Sequence, residues 1–300
     1  MSTPRIGFIG IGMMGHGMAK NLMAKGFSLT LKANRDRSRL ADLLAAGASE
    51  AASNADAARA ADVVIICVTG SQQVEEIVYG KDGLLGAARD GLIVIDTSTA
   101  EPDSTARIRE AFAARGTRYV DAPMARTPKE AEEGRLNVMV GADDATFAEI
   151  RPVLAAYCEN IFHVGPPGHG HVPKLVSNFL AMTIATSTAE AFATIARAGV
   201  SLTSFHQVIA AGGVNSGVFR LIADKAVQGD FTGMNFSIGN ARKDLCYYTH
   251  LTESLPVVSF IGEAVHQSLV HAVAQGYGDK LIPSLIEVQE KANGFQIVKR

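Results

Sequence analysis

Short apolar runs alternate with Ala-rich segments of helical periodicity through the first half of the chain. This alternation predicts a parallel sheet whose strands are covered by helices. The runs at 63–68 and 92–96 are almost entirely aliphatic, as expected of strands buried on both faces. The predicted strands are 6–10, 29–32, 63–68, 92–96, 119–121, 136–140 and 161–164.

The pattern changes at 165–170, where two prolines and three glycines occur in six residues. Beyond this point we predict one long helix over 172–198, with Pro173 in its first turn and Gly199 after its end. Further helices are predicted at about 202–211, 216–228, 238–253, 257–275 and 281–292. The sequence therefore predicts an α/β domain over 1–166 and an all-α domain over 167–300, joined by a long interdomain helix.

Composition supports a soluble two-domain protein. The 300 residues are 47% apolar and 19% charged, which excludes global disorder. With 28 Lys+Arg against 30 Asp+Glu, no basic excess exists for nucleic acid or an anionic membrane. Three scattered cysteines give no zinc or disulfide pattern and indicate the reducing cytoplasm. The apolar stretch 179–196 carries Thr, Ser and Glu190, which favours a buried helix over a membrane span.

A glycine motif follows the first predicted strand and opens a helix. The sequence GIGMMG begins at Gly10, and this context indicates dinucleotide binding. Gly10 permits a tight turn, Gly12 lets the backbone approach a pyrophosphate, and Gly15 lets helix and strand pack closely. We expect Met13 and Met14 to lie beside the same phosphates. The motif makes the first domain Rossmann-like; a glycine-rich turn without a ligand is the alternative.

The end of the second predicted strand bears on the choice of cofactor. An NAD-preferring site normally places Asp or Glu there, whereas this chain has Asn34 and Arg35. A guanidinium can pair with a 2′-phosphate, so we predict a preference for NADP, with NAD as the alternative. Arg35 as a solvated surface charge is the competing interpretation.

Four blocks in a fixed order point to a family. The stretch IGFIGIGMMGHGMAKNL resembles the N-terminal signature of the β-hydroxyacid dehydrogenases, which include 3-hydroxyisobutyrate dehydrogenase, tartronate semialdehyde reductase and sulfolactaldehyde reductase. It is followed by DAP at 121–123, by GHG at 168–170 leading to Lys174 and Asn178, and by KDL at 243–245. The resemblance spans practically the whole chain.

The resemblance implies an NAD(P)-dependent oxidoreductase. Its reaction interconverts a small 3-hydroxy acid, or an anionic analogue, and the corresponding semialdehyde or oxo acid. Such chemistry needs a group that takes up or gives the hydroxyl proton, and Lys174 matches the family's acid/base. Asn178 lies one helical turn further on the same face, where it can orient the reacting oxygen.

The loop after the DAP block departs from the family. Where relatives commonly read Val-Ser-Gly-Gly, this chain has MART at 124–127. Ala125 removes a hydroxyl, Arg126 offers a bidentate guanidinium to an anion, and Thr127 restores a hydroxyl. Sulfolactaldehyde reductase is similar in its Arg-Thr pair, so a sulfonate joins the candidate substrates. The alternative for Arg126 is exposure to solvent or a pair with Glu130 or Glu132.

Further cofactor and substrate contacts are expected near strand ends and in the helical half. The carboxyl edge of an open parallel sheet borders its ligand. On that rule, and by the resemblance, the expected cofactor contacts are Val68, Thr69, Ser98 and Thr99. The late Lys-Asp pair implies that Lys243 reaches the cofactor and Asp244 the substrate.

Two other functions fit parts of the sequence. Imine reductases are similar in architecture but usually lack the lysine, and a non-catalytic dinucleotide-binding module would not need it. No metal is expected, because His169 and His171 have no third ligand at a recognisable spacing. The expected partners are a small anionic hydroxy acid or aldehyde and further copies of the chain, as a homodimer or homotetramer.

Overall fold

The computed structural model describes residues 3–33 and 37–299. Within these ranges the chain forms two compact units, Met1–Lys174 and Leu175–Arg300. The boundary between the units lies in the first turn of the long helix, somewhat later than the change of composition at 165–170. The first unit is α/β and the second is helical, which confirms the predicted fold class.

The first unit is a sheet with helices on its faces. Its strands are β1 (Ile6–Ile9), β2 (Leu29–Lys32), β3 (Ser49–Glu50), β4 (Val63–Ile66), β5 (Ile93–Asp96), β6 (Arg118–Asp121), β7 (Met124–Ala125), β8 (Leu136–Gly141) and β9 (Cys158–Gly165). Its helices are α1 (Met13–Ala24), α2 (Ala41–Ala45), α3 (Asn54–Arg59), α4 (Ser71–Tyr79), α5 (Pro102–Ala113), α6 (Pro128–Glu132) and α7 (Asp144–Leu154).

The strand order is β3-β2-β1-β4-β5-β6-β8-β7, with β9 paired to β8. The first six strands of this order run parallel, whereas β8 is antiparallel to both β6 and β7. From β1 the chain builds the sheet first towards β2 and then, in the other direction, towards β4. In open parallel sheets, ligands bind outside the carboxyl ends of the strands at such a reversal.

The central strands are buried on both faces, as their aliphatic sequences predict. In β4, Ile65 belongs to one apolar cluster, while Val64 and Ile66 belong to the cluster on the opposite face. Successive strand residues point to opposite sides, so an unbroken aliphatic run fills both layers at once. This double burial holds the carboxyl ends of β1, β4 and β5 at fixed positions.

The second unit is built from helices. They are α8 (His171–Arg197, which starts in the first unit), α9 (Leu202–Ala211), α10 (Gly217–Ala226), α11 (Ile238–Ser254), α12 (Phe260–Ala272) and α13 (Leu285–Asn293). A π-helical turn follows α12 at Val273–Tyr277, and a 3₁₀ turn precedes α13 at Ile282–Ser284. Each predicted helix is present, although α12 begins three residues and α13 four residues later than expected.

Helix α8 is long and apolar enough to cross a membrane by length and composition alone, with a mean hydropathy of 1.3. Its burial is one-sided, however. Leu175, Met182, Ala185, Ala189 and Phe192 are each at most 2% exposed, and their spacing places them along one stripe of the helix. Such a stripe is typical of a core helix in a soluble protein, in line with the sequence prediction.

Candidate active site

The glycine motif forms a tight turn between β1 and α1. Gly10 has φ +100°, and a Cβ there would lie 2.2 Å from the carbonyl oxygen of Cys67. A Cβ at Gly15 would lie 2.1 Å from the carbonyl oxygen of Gly10, so the helix packs directly on the turn. Gly12 faces open space, with no atom within 4 Å of a Cβ placed there. The turn is therefore crowded at two glycines and open at the third.

The open glycine lies at the start of α1. Gly12 is the N-cap and provides no side-chain cap, and the first turn carries no acidic residue. Met13 is 57% exposed, while Met14 packs partly against the core. Uncapped N–H groups and the positive end of the helix dipole bind phosphate groups well. This end of α1 can thus hold the pyrophosphate of a dinucleotide.

The ends of β4 and β5 come together beside this turn. The N–H of Val68 donates to Ser98 Oγ at 3.1 Å, and the N–H of Ser98 donates to Asp96 Oδ1 at 2.9 Å. Thr69 is exposed and Thr99 is half-buried. The four residues predicted to meet the cofactor thus follow two neighbouring strands at the carboxyl edge of the sheet.

Cys67, between β4 and Val68, is held as a neutral thiol. Burial raises the pKa of its thiol to about 12, despite a hydrogen bond with Thr97 that favours the thiolate. At neutral pH the group stays a thiol, which is the unreactive form of cysteine. Its contribution is to packing against the core.

The sequence predicts that the guanidinium of Arg126, in the loop after β6, is available to an anion. In the structure this group already has two partners. Arg126, directly after β7, has φ +84°, a conformation that favours glycine. Through Nη1, its side chain donates to the carboxylate of Glu159 and to the carbonyl of Arg135. The hydrogen bond from Arg126 lowers the pKa of Glu159. The partner is therefore Glu159 on β9, not Glu130 or Glu132. Ala125, the last residue of β7, directly precedes Arg126.

Thr127 begins the short helix α6. It forms a capping box with Glu130, whose carboxylate accepts the Thr127 hydroxyl and also its N–H at 3.0 Å. This pairing lowers the pKa of Glu130. The hydroxyl that replaces the family's serine is therefore bound to Glu130 in this structure.

The first turn of α8 rests on a buried carboxylate. Asp121, which is 1% exposed, accepts the N–H groups of Gly168 at 2.7 Å, Gly170 at 2.6 Å and His171 at 3.1 Å. Lys174 is the fourth residue of this helix and is half-buried. The DAP block and the GHG block, 47 residues apart, thus meet at the point from which the lysine projects.

A second cluster lies in the helical unit. Asn178 Nδ2 donates to Asp244 Oδ2 at 2.6 Å, and Lys243 Nζ lies 2.6 Å from Asp244 Oδ1. Asp244 is 3% exposed, so the ammonium group balances a buried negative charge. Lys243 also lies over the ring of Tyr247, at 4.9 Å from its centroid. Three predicted site residues are therefore joined in one hydrogen-bonded group.

A buried polar network in the first unit was missed by the sequence analysis. Tyr119 donates to Asp96 Oδ2 at 2.8 Å, and His171 Nδ1 pairs with Thr105 Oγ1 at 2.8 Å. Asp96 and Asp121 are partners in the register of β5 and β6. The available signal was a carboxylate at the end of each of two neighbouring predicted strands.

Two predicted cofactor residues, Asn34 and Arg35, lie outside the described residues. Within residues 3–33 and 37–299, no group of three or more His, Cys, Asp or Glu side chains is arranged to hold a metal ion.

Comparison with known proteins decides the family. Residues 5–165 match the NAD binding domain of 6-phosphogluconate dehydrogenase, and residues 168–288 match the NAD-binding region of NADP-dependent 3-hydroxyisobutyrate dehydrogenase. The 2-(hydroxymethyl)glutarate dehydrogenase of Eubacterium barkeri is 31% identical over 98% of this chain and 97% of its own. The chain belongs to the β-hydroxyacid dehydrogenase family.

Other members of the family match over parts or all of the chain. The NAD-dependent L-serine dehydrogenase of Pseudomonas aeruginosa is 41% identical over 63% of each chain. The structure of 3-hydroxyisobutyrate dehydrogenase from Mycobacterium tuberculosis with L-serine has a TM-score of 0.86 at 25% identity, covering 96% of this chain and 99% of that one. These matches confirm the prediction of an NAD(P)-dependent oxidoreductase acting on small hydroxy acids or their semialdehydes, at the level of the family.

Proposed function

We propose that this β-hydroxyacid dehydrogenase interconverts a small 3-hydroxy acid, or an analogue with another anionic group, and its semialdehyde or oxo acid, with Lys174 as the acid/base. The observation that carries the proposal is the joint presence of Lys174 in the first turn of α8 and of Asn178 one turn later, with its amide fixed by Asp244. A helix with a purely structural role would not require the amide of Asn178 to be held by the buried carboxylate of Asp244.

The proton and the hydride leave different atoms of the alcohol. In oxidation, the amine of Lys174 takes the hydroxyl proton while the C–O bond becomes a carbonyl; in reduction, its ammonium returns the proton to the developing alkoxide. A nicotinamide cofactor, when bound, accepts or gives the hydride. Because Asp244 accepts one N–H of the Asn178 amide, the second N–H can donate to the reacting oxygen.

The cofactor is proposed to be NADP, with NAD as the alternative. Open space at Gly12 and the uncapped start of α1 suit the pyrophosphate. The preference rests on Arg35 and on the lack of Asp or Glu at the end of the second strand. Met13, Val68, Ser98 and their neighbours are proposed to line the same ligand, and Lys243 to reach it from α11.

The anionic group of the substrate is proposed to meet the loop at 125–127. Both contacts of Arg126 use Nη1, which leaves the edge formed by Nε and Nη2 for a carboxylate or sulfonate. The nearby charge of Glu159 weakens this attraction but fixes the guanidinium in place. Such an anchor suits a ligand that carries a full negative charge.

We also propose that the enzyme is a cytoplasmic homodimer or homotetramer. Support comes from the helical unit, where Val208, Val258 and Phe260 are 67%, 76% and 83% exposed. Exposed apolar groups of this size are typical of surfaces that pack against another chain. No disulfide joins the cysteines of the described residues, as is usual in a reducing compartment.

The proposal is tested by assaying the purified enzyme with NAD and NADP against hydroxyisobutyrate, tartronate semialdehyde, hydroxybutyrate, serine and sulfolactaldehyde. We expect turnover of at least one of these with NADP favoured. Lys174→Ala should lower kcat by about 10²–10⁴ and leave cofactor affinity unchanged, the loss typical of an acid/base group. Lys291→Ala, at an exposed helix position, is the matched control and should keep full activity.

Arg126→Ala tests the anchor in the same assay. A rise in KM that is larger for the sulfonate or carboxylate than for an uncharged aldehyde supports it. Unchanged KM values for every substrate would show that Arg126 pairs with Glu159 but does not bind the substrate.

A further inference from the structure

The start of α8 has no cap of its own. The residue before the helix is Gly170, which lacks a side chain to accept the first N–H groups. Such groups need an acceptor when they are buried, and His171 is fully buried. The acceptor here is a carboxylate from a distant strand, since Asp121 takes up the N–H groups of Gly168, Gly170 and His171.

The carboxylate fits this place closely. A Cβ on Gly170 would lie 2.3 Å from the carbonyl oxygen of Asp121 and 2.9 Å from its Oδ2. On the other side, a Cβ on Gly141 would lie 2.6 Å from Asp121 Oδ1. Two glycines thus leave room for one carboxylate, and a side chain at either position would clash with Asp121.

We propose that Asp121 is a positioning residue for the reaction, whose carboxylate fixes the origin of α8 on the end of β6 and thereby fixes where Lys174 projects. The inference rests on the proposed function, because it assigns Asp121 an effect on the step that Lys174 performs. Asp121 itself touches neither substrate nor cofactor in this account.

The chemistry explains why a carboxylate is needed. Three N–H groups converge on two oxygens, so each oxygen must accept and neither can donate. An amide of the same size has one accepting oxygen and one donating nitrogen. In Asp121→Asn, the side-chain NH₂ group therefore faces either the N–H of Gly168 or the N–H groups of Gly170 and His171. Two donors that face each other form no hydrogen bond. The loop has to shift, and a shift of about 1 Å in a reacting group can cost roughly 10²-fold in rate.

The experiment compares wild type, Asp121→Asn, Lys174→Ala and the double variant under saturating substrate and cofactor. We expect Asp121→Asn to lower kcat by about tenfold to a hundredfold, with the cofactor dissociation constant unchanged and KM changed less than kcat. In the Lys174→Ala background the same substitution should lower kcat by less than about twofold, because the group through which it acts is gone. Faster amide exchange at Gly170 and His171 should accompany the loss.

Asp143→Asn is the matched control. Asp143 caps α7 in the same unit and accepts the N–H of Thr146 at 2.9 Å, but it does not support α8. This variant should keep kcat and lose little thermal stability, because the amide oxygen of Asn caps a helix about as well as a carboxylate does. If Asp121→Asn does not fold, Gly168→Ala replaces it: this glycine has φ +97°, so alanine strains the loop while leaving the carboxylate intact. We then expect a severalfold fall in kcat.

The outcomes separate the two proposals. Loss of activity in Lys174→Ala with normal kcat in folded Asp121→Asn, or in Gly168→Ala, would overturn the positioning role alone. Full activity in Lys174→Ala would overturn the proposed function instead. Equal losses from Asp121→Asn with and without Lys174 would show that the carboxylate acts on overall stability and would also overturn the inference.

Discussion

The two units of the chain use apolar residues in different ways. In Met1–Lys174, every residue of β1, β4 and β5 is buried, so the aliphatic runs of these strands are packed within the unit. In Leu175–Arg300, helix α9 has no buried residue, and the segment around α12 exposes Val258 and Phe260. The first unit therefore carries a complete core of its own, whereas the second presents apolar surface that this chain does not cover.

The largest expected difference follows from the buried strands. Ile65→Ala empties a position with 0% exposure and should lower the free energy of unfolding by about 2–5 kcal/mol at every protein concentration. Phe260→Ser, at 83% exposure, should act only through association with another copy, so its effect on Tm should depend on concentration. Urea and thermal unfolding across a hundredfold dilution series would measure both. If both variants lost the same free energy of unfolding at every protein concentration, the proposed difference between the two units would be wrong.

A smaller effect separates packing from ligand binding inside the first unit. Gly15→Ala brings a Cβ to 2.1 Å from a backbone oxygen and should cost about 1–3 kcal/mol of stability. Gly12→Ala meets open space, so we expect stability within about 0.5 kcal/mol of wild type but weaker cofactor binding. Thermal melts with and without NADP distinguish the two. Normal cofactor affinity in Gly12→Ala would show that the pyrophosphate does not bind at this turn.

The smallest effect concerns His16 on α1, which joins two other helices through Glu132 at 2.6 Å and Asp42 at 2.8 Å. Partial burial opposes its charge, but the hydrogen bonds to both carboxylates outweigh this and raise its pKa. A raised histidine pKa stabilises the fold below the unfolded value of about 6.5, and that stability is lost as pH rises through the folded value.

His16→Gln, which is uncharged, should therefore cost about 0.5–1 kcal/mol near pH 6 and progressively less as pH increases. Unfolding measured from pH 6 to 9 checks this. Glu132→Gln should flatten the pH dependence of the wild-type histidine, and a difference that grows with pH would contradict the assignment.

The elements that sequence could predict are those with a strong internal period. The aliphatic strands β4 and β5 and the long helix α8 are present at nearly the expected bounds. The two-residue strands β3 and β7 were missed, since two residues show no periodicity. The glycine motif predicted the turn, because the spacing of its glycines reflects the local backbone conformation that such a turn requires.

Contacts between distant segments were beyond sequence reasoning. Arg126 pairs with Glu159, 33 residues away on β9, and this partner depends on how β8 and β9 align. The sequence predicts no role for Asp121 beyond its place in the DAP block, because its partners at 168–171 are revealed only by the fold. The sequence predicts a substrate-binding hydroxyl at Thr127, whereas its capping of α6 depends on where that helix begins.

The central claim is that the amine of Lys174 transfers the proton in the oxidation of the alcohol. It is tested most directly by the rate of nicotinamide reduction in a single turnover, followed by absorbance over a range of pH in wild type and Lys174→Ala. The account predicts a wild-type rate governed by one ionisation, and a variant that is about 10²–10⁴ slower and lacks that ionisation. Matching rates and pH profiles in the two proteins would contradict it.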